Sequence, residues 1–102
     1  MESSEHFQKG ITLFNEEKFY EAHEEWEVIW LKDRSEDRYF LQGLIQLAGA
    51  FHHRQKGREG PAQTALAKAL SKLEKYPAQH WGIDLARLIR EARKNPKIHE
   101  AE

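Results

Sequence analysis

Phe19-Tyr20-Glu21-Ala22-His23-Glu24-Glu25-Trp26-Glu27-Val28-Ile29-Trp30 is the stretch that decides how the rest of this chain is read. At 100° per residue, Phe19, Ala22, Trp26, Ile29 and Trp30 form one apolar arc, extended by Tyr20 and Leu31, which predicts a core-facing helix. His23 and Glu27 project within that arc, Glu24 lies on its edge, and Glu21 and Glu25 point away. An imidazole and a carboxylate one turn apart among two Trp and a Phe are costly to bury unless partnered. The segment therefore predicts a polar site inside a helical core.

Working outward, a helix is expected from about Ser4 to Glu16, with Phe7, Ile11 and Phe14 on one face and Ser3 or Ser4 as its cap. A break around Asn15 to Lys18 leads into the quoted helix, which runs to about Lys32. Asp33 to Glu36 reads as a turn, and Ser35, Glu36 and Asp37 open a third helix that extends to Lys56. Tyr39, Phe40, Leu41, Leu44, Ile45, Leu47, Ala48 and Phe51 make this helix apolar over most of its circumference, so it is the central one. Gly57 is placed to stop it. Gly60-Pro61 starts a fourth helix with the stripe Ala62, Ala65, Leu66, Ala69, Leu70, Leu73 and Tyr76, ended by Pro77. Ala78 to Gly82 reads as a linker with Trp81 against the core. A fifth helix, Ile83 to Lys94, buries Leu85, Leu88, Ile89 and Ala92 and closes at Asn95-Pro96. No strand signal is evident. The expected fold is all-α: a compact bundle of about five helices in antiparallel pairs, forming a single domain over residues 1–102.

Hydrophobic content of 39% and charged content of 32% fit a folded, well-solvated globule. The absence of cysteine excludes disulfides and thiolate ligands and agrees with a reducing compartment. With no signal-like start and no apolar run long enough for a bilayer, the expectation is cytoplasmic with no membrane contact. A net charge of −1 gives no global field for nucleic acid, which is not expected as a partner. The charge is uneven: residues 1–32 hold eight acids and three bases, and residues 33–102 hold nine acids and thirteen bases. Glu21 and Glu25 at one end, and Arg87, Arg90 and Arg93 at the other, show no partner in sequence, which raises a homodimer as one way to close them. Ala22, Trp26 and Trp30 are echoed forty residues later by Ala62, Leu66 and Leu70, and Gly10, Phe19, Ala22 and Trp26 match several spacings of a tetratricopeptide unit.

The third helix offers partners to His23 and Glu27. Gln42, Gln46, Gly49 and His53 lie on one stripe, and His52 projects beside Leu41, Ile45 and Ala48; the wheel leaves open which of His52 and His53 meets His23. Three readings follow for Glu21, His23, Glu24, Glu27, Gln42, Gln46, His52 and His53. One is a hydrogen-bond network in which glutamine amides answer the histidine and glutamate. A second is a pocket for a small molecule or peptide between helices. The third is a divalent metal held by His23, Glu27 and His52, the i, i+4 pair supplying two ligands from one helix. The chain reads His-Glu-x-x-Glu and lacks both His-Glu-x-x-His and the Glu-x-x-His of di-iron bundles. No nucleophile, phosphate loop or dinucleotide fingerprint defines a reaction, so binding or structure is expected ahead of catalysis. His6, His80 and His99 look isolated.

The run Phe14-Asn15, Phe19-Tyr20-Glu21-Ala22-His23-Glu24, Glu27 and Trp30, followed by Phe40-Leu41-Gln42-Gly43-Leu44-Ile45-Gln46, resembles the domain of unknown function 309 family of small bacterial and archaeal proteins. Ala50-Phe51-His52, the Gly57 break and Gly82-Ile83-Asp84-Leu85 fit the same pattern. The resemblance implies a compact helical bundle whose shared polar positions are Glu21, His23, Glu24, Glu27, Gln42 and His52, and it favours His52 over His53. It names no chemistry. The label metal-dependent hydrolase attached to some members finds no independent support in these residues.

Overall fold

A computed structural model describes residues 2–94 of the chain. Four helices in sequence, α1 (Glu2–Asn15), α2 (Phe19–Lys32), α3 (Asp37–Gln55) and α4 (Glu59–Leu73), form two helical hairpins, and α5 (Leu85–Lys94) follows a small β-hairpin. Helix α3 packs against both α2 and α4 and joins the two hairpins into one core. Its buried residues, Phe40, Leu41, Gly43, Leu44, Leu47, Ala48, Ala50 and Phe51, cover most of its circumference, as the sequence requires. The all-α bundle of five helices stands, with the packed pairs as expected.

The first hairpin closes over a missing side chain. A Cβ on Gly10 would lie 2.2 Å from Trp26 Nε1, so only glycine lets α1 and α2 approach with an indole between them. Trp26 Nε1 donates to the Phe7 carbonyl at 3.2 Å, which satisfies the donor that burial strips of water. Phe14 meets Phe19 and Phe51 edge-on at 5.0 and 5.9 Å, linking α1, α2 and α3 through aromatic rings. Burying side chains of this size is worth about 2–3 kcal/mol each, and this carries the core.

Both hairpin connections end their first helix in the left-handed region. Gly57, at φ 76°, does so after α3, and Arg58 N donates back to the His53 carbonyl at 2.9 Å. Glu17, at φ 65°, does the same after α1, with Lys18 N donating to Leu13 O at 2.8 Å. This is the Schellman arrangement, for which glycine is the usual choice.

Several boundaries differ from expectation. Helix α1 already includes Ser3 and Ser4, so neither caps it from outside. Helix α4 stops at Leu73, and Tyr76 packs as a loop residue, its ring 5.3 Å from that of Phe40. The linker is a true β-hairpin: β1 (Gln79–His80) pairs antiparallel with β2 (Ile83–Asp84), which corrects the reading of no strand and moves the start of α5 from Ile83 to Leu85. Trp81 and Gly82 both have positive φ, 54° and 78°, the signature of a type I′ turn. Two-residue strands have no alternation to detect, and Trp81 is a poor advertisement for a left-handed position. The proposed stop at Asn95-Pro96, together with His99, lies outside the described residues. No helix among the described residues is long and apolar enough to cross a membrane.

Candidate functional site

Helix α2 carries its polar residues past the end of α3, where the α1–α2 connection leaves space. Glu17, Lys18, Phe19, Tyr20 and Glu21 face His52, Gln55 and Lys56 across an open groove of about 550 Å³. Gln55 Nε2 donates to the Glu17 carbonyl at 2.9 Å and ties the two walls together, capping an oxygen of the strained turn. The Tyr20 ring contacts two imidazoles, stacking with His23 at 5.6 Å between centroids and meeting His52 at 5.3 Å. Glu21, which the helical wheel put outside the core, lines this groove on the solvent side.

His52 is the histidine that faces α2. Its neighbour His53 turns away, with Nδ1 3.2 Å from Arg58 Nη1. Burial holds the His52 imidazole below the ordinary histidine range, and the positive charges of Lys56 and Arg58 push it further the same way. A neutral His52 offers one donor and one acceptor to the groove.

His23 and Glu27 approach to 3.8 Å, a loose contact, with the glutamate side chain 45% exposed. His23 Nδ1 is itself shut off from water and has no hydrogen-bond partner. The glutamine amides do not answer it. Gln46 accepts from Lys72 Nζ at 2.9 Å on the α4 side, and the Gln42 side chain makes no hydrogen bond to the described residues. Glu24 is exposed. His23 and Glu27 thus sit half-buried along the rim of the core while Glu21 and Glu24 are exposed, and no polar or charged residue among those described is fully buried. This differs from the enclosed site the wheel implied. A wheel fixes azimuth on one helix, whereas α3 covers only part of that arc.

For a divalent metal, His23 and Glu27 would have to gain a third ligand. Among the described residues no three His, Asp or Glu side chains come together so as to hold an ion, and the Tyr20 ring packs against both His23 and His52 instead. The donor set and its arrangement do not fit a metal centre.

Two further polar clusters escaped the sequence reading. His6 Nδ1 lies 2.8 Å from Glu25 Oε1, and Lys9 Nζ lies 3.6 Å from Glu25 Oε2, so Glu25 ties α1 to α2. The hydrogen bond from His6 keeps the Glu25 carboxyl below its usual range against the opposing effect of burial. At the other end, Asp37 holds His80 Nε2 at 2.9 Å and accepts from Trp81 Nε1 at 3.1 Å, pinning the β-hairpin to the first turn of α3. His6 and His80 are therefore not isolated. Arg87 pairs with Glu91 at 3.0 Å and Arg93 with Glu74, which removes Glu25, Arg87 and Arg93 from the unpartnered charges that argued for a dimer. Only proximity at i+4 could have signalled Arg87–Glu91; the rest join residues 16 to 44 positions apart.

Phe19, Tyr20, Glu21 and His52, which line the groove, are among the residues through which the sequence resembles a known family. A model of that family, described as a domain of unknown function, matches residues 7–65, more than half of the chain. The matched span runs from α1 into α4 and contains Glu21, His23, Glu24, Glu27, Gln42 and His52, while the β-hairpin and α5 lie beyond it. No curated protein and no solved structure matches the chain. With its first hairpin, its central helix and every one of those polar positions inside the matched span, this chain belongs to the domain of unknown function 309 family.

Proposed function

We propose that the protein is a binding module whose groove at the α1–α2 turn takes a small polar ligand or a short peptide. The carrying observation is the convergence of Tyr20, Glu21 and His52 from two helices on one open space of about 550 Å³. That volume lies within the range of ordinary ligand sites. A phenol, a carboxylate and a neutral imidazole supply hydrogen-bond donors and acceptors of both kinds, and the ring faces of Tyr20 and His52 supply contact area. No serine, threonine or cysteine lines the groove to be activated by a neighbouring base, which favours binding over catalysis. The absence of cysteine supports placing this activity in the cytoplasm.

The test is a titration of isotope-labelled protein with a panel of polar metabolites and tetrapeptides, followed by amide chemical shifts. Binding should move Tyr20, Glu21, His52 and Gln55 together, and Tyr20→Ala or His52→Ala should abolish the response. Shifts confined to α4 or α5 would place the activity elsewhere. A metal centre on His23, Glu27 and His52 has only the His23–Glu27 approach in its favour. Stoichiometric metal in tag-free protein, lost in His23→Ala, would displace the present reading.

A further inference from the structure

Helix α2 presents a second feature beyond the groove. Tyr20, Glu24, Glu27 and Leu31 fall at intervals of 4, 3 and 4 residues, so they form one ridge within about 60° of arc, some 16 Å long. Tyr20 and Leu31 at its ends are 50% and 60% exposed and are two of the three large hydrophobic residues left exposed among the described residues. Between and beside them stand Glu21, Glu24 and Glu27. Among the described residues neither Glu21 nor Glu24 takes part in an ion pair, and Glu27 has only its loose contact with His23. Like charges at i, i+3 and i, i+4 cost an isolated helix a few tenths of a kcal/mol each. Glu25 recovers that through His6 and Lys9, whereas among the described residues the ridge has only the loose Glu27–His23 contact.

We propose that this ridge docks a basic amphipathic helix of another protein. Apolar ends spaced by eleven residues suit a helix laid alongside, since its own knobs recur at the same interval. The intervening carboxylates choose lysine or arginine for the central positions of that helix. A second copy of this chain is the wrong occupant: a two-fold axis through the ridge would set Glu24 and Glu27 against the same acids of the other copy. The inference extends the binding reading from the groove to the ridge that begins at Tyr20, and it does not require the groove to hold a small molecule.

The probe is a fluorescent, stapled alanine-based helix with leucines eleven residues apart and lysines at the two ridge positions between them, compared with the same helix carrying glutamates there. The full chain should bind the lysine helix and not the glutamate helix, with affinity falling about tenfold as salt rises from low to several times physiological. Glu24→Lys with Glu27→Lys should reverse the preference, while circular dichroism confirms that the variant stays folded. Leu31→Ala should weaken binding by about tenfold. His52→Ala, which tests the groove, should leave the lysine helix bound, so the two readings fail separately. Equal binding of both helices, or no effect of the charge reversal, overturns the proposal. A dimer in light scattering that Leu31→Ala dissociates also overturns it, in favour of a second copy.

Discussion

The two helical hairpins use one connection and fill it differently. Forty positions separate Leu13, Glu17 and Lys18 from His53, Gly57 and Arg58, and both sets make the same backbone bond across a left-handed residue. The helices they start also begin alike, with Lys18 at φ −94°, ψ 70° and Arg58 at φ −98°, ψ 77°. The faint echo of Ala22, Trp26 and Trp30 in Ala62, Leu66 and Leu70 thus corresponds to a repeated turn geometry. Side-chain size is what differs. Trp26 needs Gly10 opposite it, whereas forty positions on the smaller Leu66 coincides with a buried Ala50 in place of the glycine. Backbone geometry recurs, and each hairpin balances its own volume.

Breaking that balance should give the largest effect. Gly10→Ala puts a Cβ into the Trp26 ring and should cost about 3 kcal/mol, near the upper end for overpacking. Ala50→Gly loses only helix propensity and a methyl group, about 1 kcal/mol. Urea unfolding of both separates the two cases, and equal losses would mean that Trp26 moves aside freely. Gly10→Ala combined with Trp26→Leu imitates the second hairpin, so the pair should cost less than the sum of the single changes.

Next comes the end of the second hairpin. Asp37→Ala leaves His80 and Trp81 without their acceptor and should cost about 2 kcal/mol. Asp37→Asn keeps one acceptor oxygen and should cost less. The Trp81 indole proton resonance reports the bond directly, and an unmoved resonance in Asp37→Ala would refute the pinning. No effect of that size is expected in the first hairpin, where half-exposed His6→Ala should change stability by under about 1 kcal/mol.

These clusters also mark where the sequence stopped being legible. Helical periodicity reads the face that each helix turns inward, and it located α3 as the central helix, Gly57 as a stop and Trp81 as a core contact. It gives no distance between residues on different elements, so it missed Asp37 with His80 and Trp81, and His6 with Glu25. Tyr20 reads as an extension of the apolar arc because nothing local shows that its ring touches both His23 and His52. Glu17 went unread for another reason: its left-handed backbone is imposed by packing, and its residue type gives no hint of it.

Glu17 and Gly57 therefore give a smaller, signed comparison. Gly57→Ala forces a side chain into the left-handed region and should destabilise by about 1 kcal/mol. Glu17→Gly relieves the same strain and should stabilise by up to about 1 kcal/mol, less the added freedom of the unfolded chain. Thermal melts of the two variants should move in opposite directions. Parallel shifts would show that the two turns are alike only in hydrogen bonding.

The smallest effect concerns pH, and it assigns the two hairpins different windows. His52, on α3, has its folded pKa depressed by burial and by Lys56 and Arg58. As pH falls through the ordinary imidazole range, the unfolded chain takes up a proton that the folded chain resists. Stability from this source is therefore complete above that range and declines as pH drops towards the folded value. Glu25, on the first hairpin, is depressed chiefly by its hydrogen bond with His6, so its contribution holds through the His52 window and is lost only as pH falls through its own lowered value. Urea midpoints followed from pH 8 to pH 3 should fall in two stages. His52→Gln should flatten the upper stage and leave the lower, while Glu25→Gln should do the reverse. If His52→Gln leaves the upper stage unchanged, another histidine carries it, and the groove imidazole is no more reluctant to charge in the folded protein than in the unfolded chain.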